Sequence, residues 1–205
     1  MTEPDPLLKY REQHKHRLNY MPWLYWSLKP KHRAWAEQWQ NEYQQYLREM
    51  ETVEIGKNCF ISPLAHIFAE RGRTIRIGDN CFIAADCTLH GPLDIGNEVA
   101  INHHCILDGG RVGIKLHDQV RIAAYSHLYA FDHGMQLDQP IYQQPVRSQG
   151  IEIGRDVWLG AHVGIKDGVK IGDHAIVGMQ SMVTKDVGEK EIVAGNPARF
   201  IRYRE

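Results

Sequence analysis

The chain has 205 residues, with 24 lysines and arginines against 25 aspartates and glutamates, a formal net charge of −1. One domain with a small appendage fits that length, and a phosphate-driven nucleic-acid binder, which needs a basic excess, does not fit that charge. No apolar run approaches the roughly 20 residues of a membrane-spanning helix, and four cysteines without a CxxC pair or a secretory leader predict a reducing, cytoplasmic setting.

Residues 1–52 carry no repeat. After Pro30, the residues Trp35, Trp39, Tyr43, Leu47 and Met50 fall at helical spacing on a polar background, predicting a one-sided helix. A stack of repeats needs its open end covered, so this segment is expected to cap the stack or pack on a neighbouring subunit. The stretch NYMPWLYWSL before it sets aromatics among cations, with seven Lys or Arg and one acid between Lys9 and Arg33. That mixture suits a membrane interface, so weak peripheral membrane contact is a second expectation.

From Ile55 the chain is written in sixes, beginning IGKNCF, ISPLAH, IFAERG. Eighteen hexads follow up to Gly188, and each starts with Ile, Leu or Val. Insertions fall after hexads three, nine and twelve, always after a multiple of three. Three hexads therefore form one structural unit, and six units stack into a solenoid with every insertion leaving from one equivalent corner. The lead aliphatics point inward, and so does the fifth position, which must be small. All four cysteines, Cys59, Cys81, Cys87 and Cys105, sit in that fifth column and are expected to be buried and inert. Arg71, Arg111 and Asp132 break the column just before the three insertions, where the chain leaves the wall.

This pattern resembles the hexapeptide-repeat acyltransferase family over residues 55 to about 188. The resemblance implies a mainly β fold, a left-handed parallel β-helix of about six triangular coils, spanning 53–188 with a loop at 134–152 projecting from one corner. It also implies an N-terminal helical segment at 1–52 and a coenzyme A-binding tail at 189–205. The segments VAGNPARFIR and GMQSMVTKDV resemble the closing segment of members that use coenzyme A, in the sugar O-acetyltransferase branch. On that resemblance Met179, Thr184, Lys185, Arg199 and Arg202 line acetyl-CoA; Lys and Arg are the donors its phosphates need. Asn102 matches an acceptor-binding asparagine of the galactoside branch, and Asp108 is a second candidate for the acceptor.

The nineteen extra residues before Ile153 are the longest break in the rhythm. His133 closes the hexad LYAFDH just ahead of them. It matches the catalytic histidine of the galactoside and maltose acetyltransferases, one coil before the hexad IGRDVW. Transfer of an acetyl group from a thioester to a hydroxyl needs a base that titrates near neutrality, and histidine supplies it. The developing oxyanion needs a backbone N–H, which the family places at the position of Ala161, with Trp158 walling the site. The galactoside branch has serine there, so only the main chain serves in this sequence. Long loops in compact folds are usually functional, and Gln136, Gln143, Gln144 and Arg147 are candidates to reach an acceptor. His127 is the rival base, expected on a different wall from the loop. Asp132 is not expected to orient His133, because neighbours on a strand face opposite ways.

The family implies a homotrimer with active sites between subunits and no metal requirement. N-acetylation of an amino sugar or nucleotide sugar is the close alternative, using much the same geometry. A zinc hydratase of the carbonic-anhydrase type also resembles this solenoid, with His103, His104 and His127 as conceivable ligands, but it leaves the tail cations without a role.

Overall fold

The computed structural model describes residues 6–205. Two helices open it, α1 (Pro6–Tyr20) and α2 (Pro30–Met50), with a 3-10 turn at Pro22–Leu24 between them. From Val53 the chain winds through three parallel sheets that form the walls of a solenoid. Wall A runs from Val53–Ile55 to Lys170–Ile171, wall B from Phe60–Ile61 to Ile176–Val177, and wall C from His66–Phe68 to Met182–Val183. Each wall has one strand per coil, so eighteen hexads make six coils.

The hexad explains the register. Lead aliphatics lie over one another in successive coils, as Ile55 over Ile77, Ile61 over Ile83 and Ile67 over Leu89. These leads, together with the small residues of the fifth column, fill the interior. All four cysteines are buried there as free thiols, and each donates to a main-chain carbonyl of the next coil, as Cys59 Sγ to Gly78 O at 3.0 Å. Burial and these contacts make them structural. At most corners leading onto walls B and C the fourth hexad residue takes a left-handed conformation, including the non-glycine residues Asn80, His104 and Tyr125. Its N–H then reaches a carbonyl of the preceding coil, as Tyr125 N to His103 O at 3.2 Å.

The N-terminal segment closes the first coil and one wall. Row by row across wall B, the outward sixth residues are Phe60, Phe82, Ala100, Arg121, Trp158 and Ile176. The first three are apolar because Leu18, Tyr25, Trp26, Trp35, Ala36 and Trp39 pack over them. Of the aromatics that suggested a membrane interface, Tyr25 and Trp26 pack against the solenoid and Trp23 is 49% exposed, and Arg11, Lys15 and Arg33 stack on Trp35, Trp39 and Tyr25. Among the described residues no helix is long and apolar enough to cross a membrane.

The buried stripe of α2 includes two glutamines that the apolar spacing did not mark. Gln40 Oε1 accepts from Ile61 N at 2.8 Å, and its Nε2 donates to Ile61 O at 3.1 Å. Gln44 Nε2 donates to Cys59 O at 2.9 Å. The first strand of wall B has no coil beneath it, and these amides take the place of a neighbouring strand. Its backbone groups are buried and must be satisfied.

Candidate active site

All three insertions leave at the corner from wall C to wall A, as the count of hexads requires. The long one is pinned at its root by an antiparallel bridge, Asp132 N to Arg147 O and Arg147 N to Asp132 O, both 2.8 Å. Ser148 Oγ donates to Ala130 O at 2.6 Å, and Asp167 accepts from Gln149 N and Gly150 N. Inside the loop, Gln144 is buried and its amide bonds Gln136 N, Gln136 O and Gln139 O. Gln144 therefore holds the loop together rather than facing an acceptor. Gln143 Nε2 donates to Tyr142 Oη at 2.7 Å.

His133 stands exposed at this root. Tyr129, Phe131 and His133 alternate along one extended run, so they share its outer side. Their rings meet edge to face, at 5.8 Å for Tyr129–Phe131 and 6.3 Å for Phe131–His133. Among the described residues neither ring nitrogen of His133 has a hydrogen-bond partner. Asp132 points elsewhere and pairs with Lys166 Nζ at 2.9 Å, as alternation on a strand predicts.

His127 differs from expectation. It opens the strand His127–Tyr129 of wall C, the same wall whose far end leads to the loop. The sixth residue of a hexad already belongs to the next strand, and the count by hexads alone hid that. Gly164, its partner in the next coil, leaves the notch for its ring; a Cβ there would lie 2.7 Å from His127 Nε2.

The remaining candidates fall into two groups. Trp158 lies on the outer face of wall B and is 52% exposed. Ala161 and Met179 follow at the corner from wall B to wall C, Met179 being 64% exposed. The Ala161 N–H has no acceptor among the described residues, whereas the equivalent N–H of Ala85 donates to Asn19 O at 2.7 Å. The tail Arg199–Tyr203 returns antiparallel to Glu191–Ala194 and extends wall B, so Trp158, Ile176, Ile192 and Arg202 form one row. Among the described residues Arg199 and Arg202 donate only to carbonyls of the tail itself, leaving further donors for an anion. Arg204 fixes the tail by binding Asp156 Oδ2 at 2.9 Å. Asn102 is at the same corner as Ala161, and its Nδ2 donates to Ile122 O at 2.9 Å.

The second group is at the corner from wall C to wall A, with His133. Thr184 and Lys185 are exposed there beyond the last strand of wall C. Asp108 ends its strand of wall C, with Oδ2 3.3 Å from His90 Nδ1 and Oδ1 accepting from Gly110 N. Wall C separates His133 from Ala161 within one chain.

A feature missed in the sequence runs up the corner that carries Ala161. Tyr125 stacks on His104 at 4.6 Å and on His162 at 4.9 Å with an interplanar angle of 3°. His103 and His104 share a hydrogen bond between their Nδ1 atoms at 2.9 Å, and Tyr20 Oη donates to Asp86 Oδ2 at 2.9 Å. Burial, and then the neighbouring His104, hold His103 below the usual histidine range. The signal was the recurrence of ring residues at hexad position four. Among the described residues no three His, Cys, Asp or Glu side chains are grouped to hold a metal ion.

Three parallel walls of hexads, with one histidine at the root of the longest insertion, define the class of fold. Models of the bacterial transferase hexapeptide (six repeats) and of the hexapeptide repeat of succinyl-transferase match residues 150–185 and 74–102. The structure of a mutant of AntD, an N-acyltransferase from Bacillus cereus in complex with dTDP and coenzyme A, is 30% identical. It covers 79% of this chain and 89% of that one, with a TM-score of 0.70. The chain belongs to the hexapeptide-repeat acyltransferase family. Chloramphenicol acetyltransferase of Morganella morganii is 32% identical over 57% of this chain and 56% of its own. Galactoside O-acetyltransferase of Escherichia coli is 50% identical over 25% of each chain. The chain spans about half the length of the curated relatives it matches.

Proposed function

We propose that this chain is a coenzyme A-dependent O-acetyltransferase acting on a saccharide hydroxyl in the cytoplasm. The observation that carries it is His133, exposed at the root of the long loop with both ring nitrogens unpartnered among the described residues. His133 accepts the proton of the attacking hydroxyl, and direct attack needs no acyl-enzyme. The Ala161 N–H faces the oxygen on which charge develops. Trp158, Met179, Thr184, Lys185, Arg199 and Arg202 hold acetyl-CoA, and Asn102 and Asp108 hold the acceptor. These residues fit the group: an exposed aromatic and aliphatic row on wall B ends in guanidinium groups suited to phosphate. When bound, acetyl-CoA supplies the activated acyl group. Because wall C separates the two halves of the site, a neighbouring copy brings Trp158 and Ala161 to His133, in a homotrimer.

The test is thiol release from acetyl-CoA over a panel of sugars and glycosides, wild type beside His133→Ala. Turnover should fall by about 100-fold or more with acetyl-CoA binding retained. Undiminished turnover in the variant removes His133 as base and leaves His127 to be tested. N-acylation is the second reading, favoured by the likeness to an N-acyltransferase. Alkaline hydroxylamine, applied to the isolated product, separates the two, since it strips acetyl from an oxygen ester and leaves an amide intact.

A further inference from the structure

We infer that the acceptor is an anionic saccharide, and that Arg111, in a cleft beside His133, binds its carboxylate or phosphate group. The inference rests on the reading of the site as a saccharide acetyltransferase and adds the charge of its substrate.

The turn that carries Arg111 is held from both sides. Gly110 before it has left-handed backbone, φ 55°, and a Cβ there would collide with Ala130 O. Asp108 Oδ1 accepts from Gly110 N at 3.0 Å. Ser148 Oγ, at the root of the long loop, accepts from Arg111 N and Val112 N, both at 3.0 Å. These contacts tie the backbone of Arg111 to the coil of His133. Its guanidinium is left over: it is exposed, and among the described residues it has no hydrogen-bond or ion-pair partner. It lines a cleft of about 440 Å³ with Arg73, Asp108, Phe131, Val146 and Ser148 among others. Phe131 joins this cleft to His133, whose ring it meets at 6.3 Å.

The other charges of the cleft are spoken for. Arg73 Nε donates to Gly91 O at 2.9 Å and lies 3.3 Å from Glu70 Oε2, with its Nη2 4.0 Å from Asp108 Oδ1. Arg111 is thus the cation in the lining without a counter-ion. In the homotrimer wall C faces the threefold axis, and the cleft lies at its edge, on the seam between copies. Closing the seam takes water from Arg111, and an unpaired cation is costly there. The carboxylate in the turns of the neighbouring corner, Asp86, already accepts from Tyr20 Oη at 2.9 Å and lies 3.6 Å from His104 Nε2. An anion brought by the acceptor is the partner that remains. The direction of approach agrees. Thr184 and Lys185 lie two coils beyond the strand that leads to His133, and Arg111 lies one coil before it. Cofactor and acceptor therefore reach the base from opposite ends. One strand spacing, roughly 4.8 Å, places the anion and the reacting hydroxyl on the same sugar ring or on adjacent rings. The paired donors of a guanidinium match a carboxylate or a phosphate.

The experiment measures transfer of labelled acetyl to matched sets: glucose, glucuronate and glucose 1-phosphate, and the same three forms of galactose. Wild type is compared with Arg111→Gln and with Arg76→Gln, a control on wall A, after all three are shown to melt alike and to share one oligomeric state. In the accepted set, kcat/KM for an anionic member should exceed that for its neutral partner by about tenfold or more, mainly through KM. Preference for the carboxylate or for the phosphate tells which anion the acceptor carries. In Arg111→Gln the advantage should fall to about threefold or less with acetyl-CoA binding unchanged, while Arg76→Gln behaves as wild type. Equal or better transfer to the neutral sugar, or an advantage undiminished in Arg111→Gln, overturns the assignment and leaves the transferase reading intact. Dissociation of the assembly in Arg111→Gln makes Arg111 a contact between copies and overturns it as well. If acetyl-CoA binds but no sugar, charged or neutral, is acetylated, the transferase reading on sugars fails instead. Arg111 is then decided by ligand-observed NMR with glucuronate and glucose 1-phosphate. Contact that is lost in Arg111→Gln supports the anion site; no contact, or contact that persists in the variant, overturns it.

Discussion

His103 ties residue chemistry to the fold more tightly than any other titrating side chain at the corner of Ala161. Its shared hydrogen bond with His104 requires one ring to donate and the other to accept, so the pair cannot be fully charged. Burial and His104 lower its affinity for a proton in the fold. A lowered folded value means that the unfolded chain binds the proton more readily. Its contribution is therefore complete above the ordinary histidine range and is lost as pH falls through and below it. The melting temperature should drop on acidification from neutrality to pH about 5, and the drop should be smaller in His103→Asn. Equal acid sensitivity in the two proteins would assign the effect to other groups.

At the scale of elements, buried polar residues decide the placement of α2. Trp39, Tyr43 and Leu47 give it an apolar side, but Gln40 and Gln44 fix it over the first coil by pairing with the main chain of Cys59 and Ile61. Gln40→Leu keeps the volume and leaves a buried N–H and C=O at Ile61 without partners. It should destabilise the protein by about 1–3 kcal/mol in chemical denaturation, without altering acetyl-CoA binding on the distant coils. The long loop shows the same logic. Its length and place were legible, but Gln144 could be read as an acceptor contact only while its hydrogen bonds were unknown.

The whole molecule is built so that one copy carries two separated halves of the proposed site. His133, Asp108 and Lys185 lie at one edge of wall C, and Trp158, Ala161, Met179, Arg199 and Arg202 lie on wall B or at the other edge. If neighbouring copies join the halves, two inactive variants should complement. His133→Ala mixed equally with Arg199→Glu/Arg202→Glu, co-refolded or co-expressed, should recover about a quarter of wild-type activity by random assortment in a cyclic trimer. No recovery in verified mixed trimers would mean that each site is completed within one chain.

The amino-acid sequence by itself determined the solenoid, its six coils, the common corner of the insertions and the inert cysteines. A period of six with an aliphatic lead admits one way of burying its apolar residues, and that constraint is local and repeated. It also marked His133 and the tail cations, since both stand where the period ends. The rest depended on residues far apart in the chain. The wall assignment of His127, the burial of Gln40 and Gln44, the stack of Tyr125 between two histidines and the cleft beside Arg111 all join successive coils. Contacts between coils run perpendicular to the chain, and a side chain's partners there are set by the coil register and the N-terminal helices, which only the tertiary structure decides.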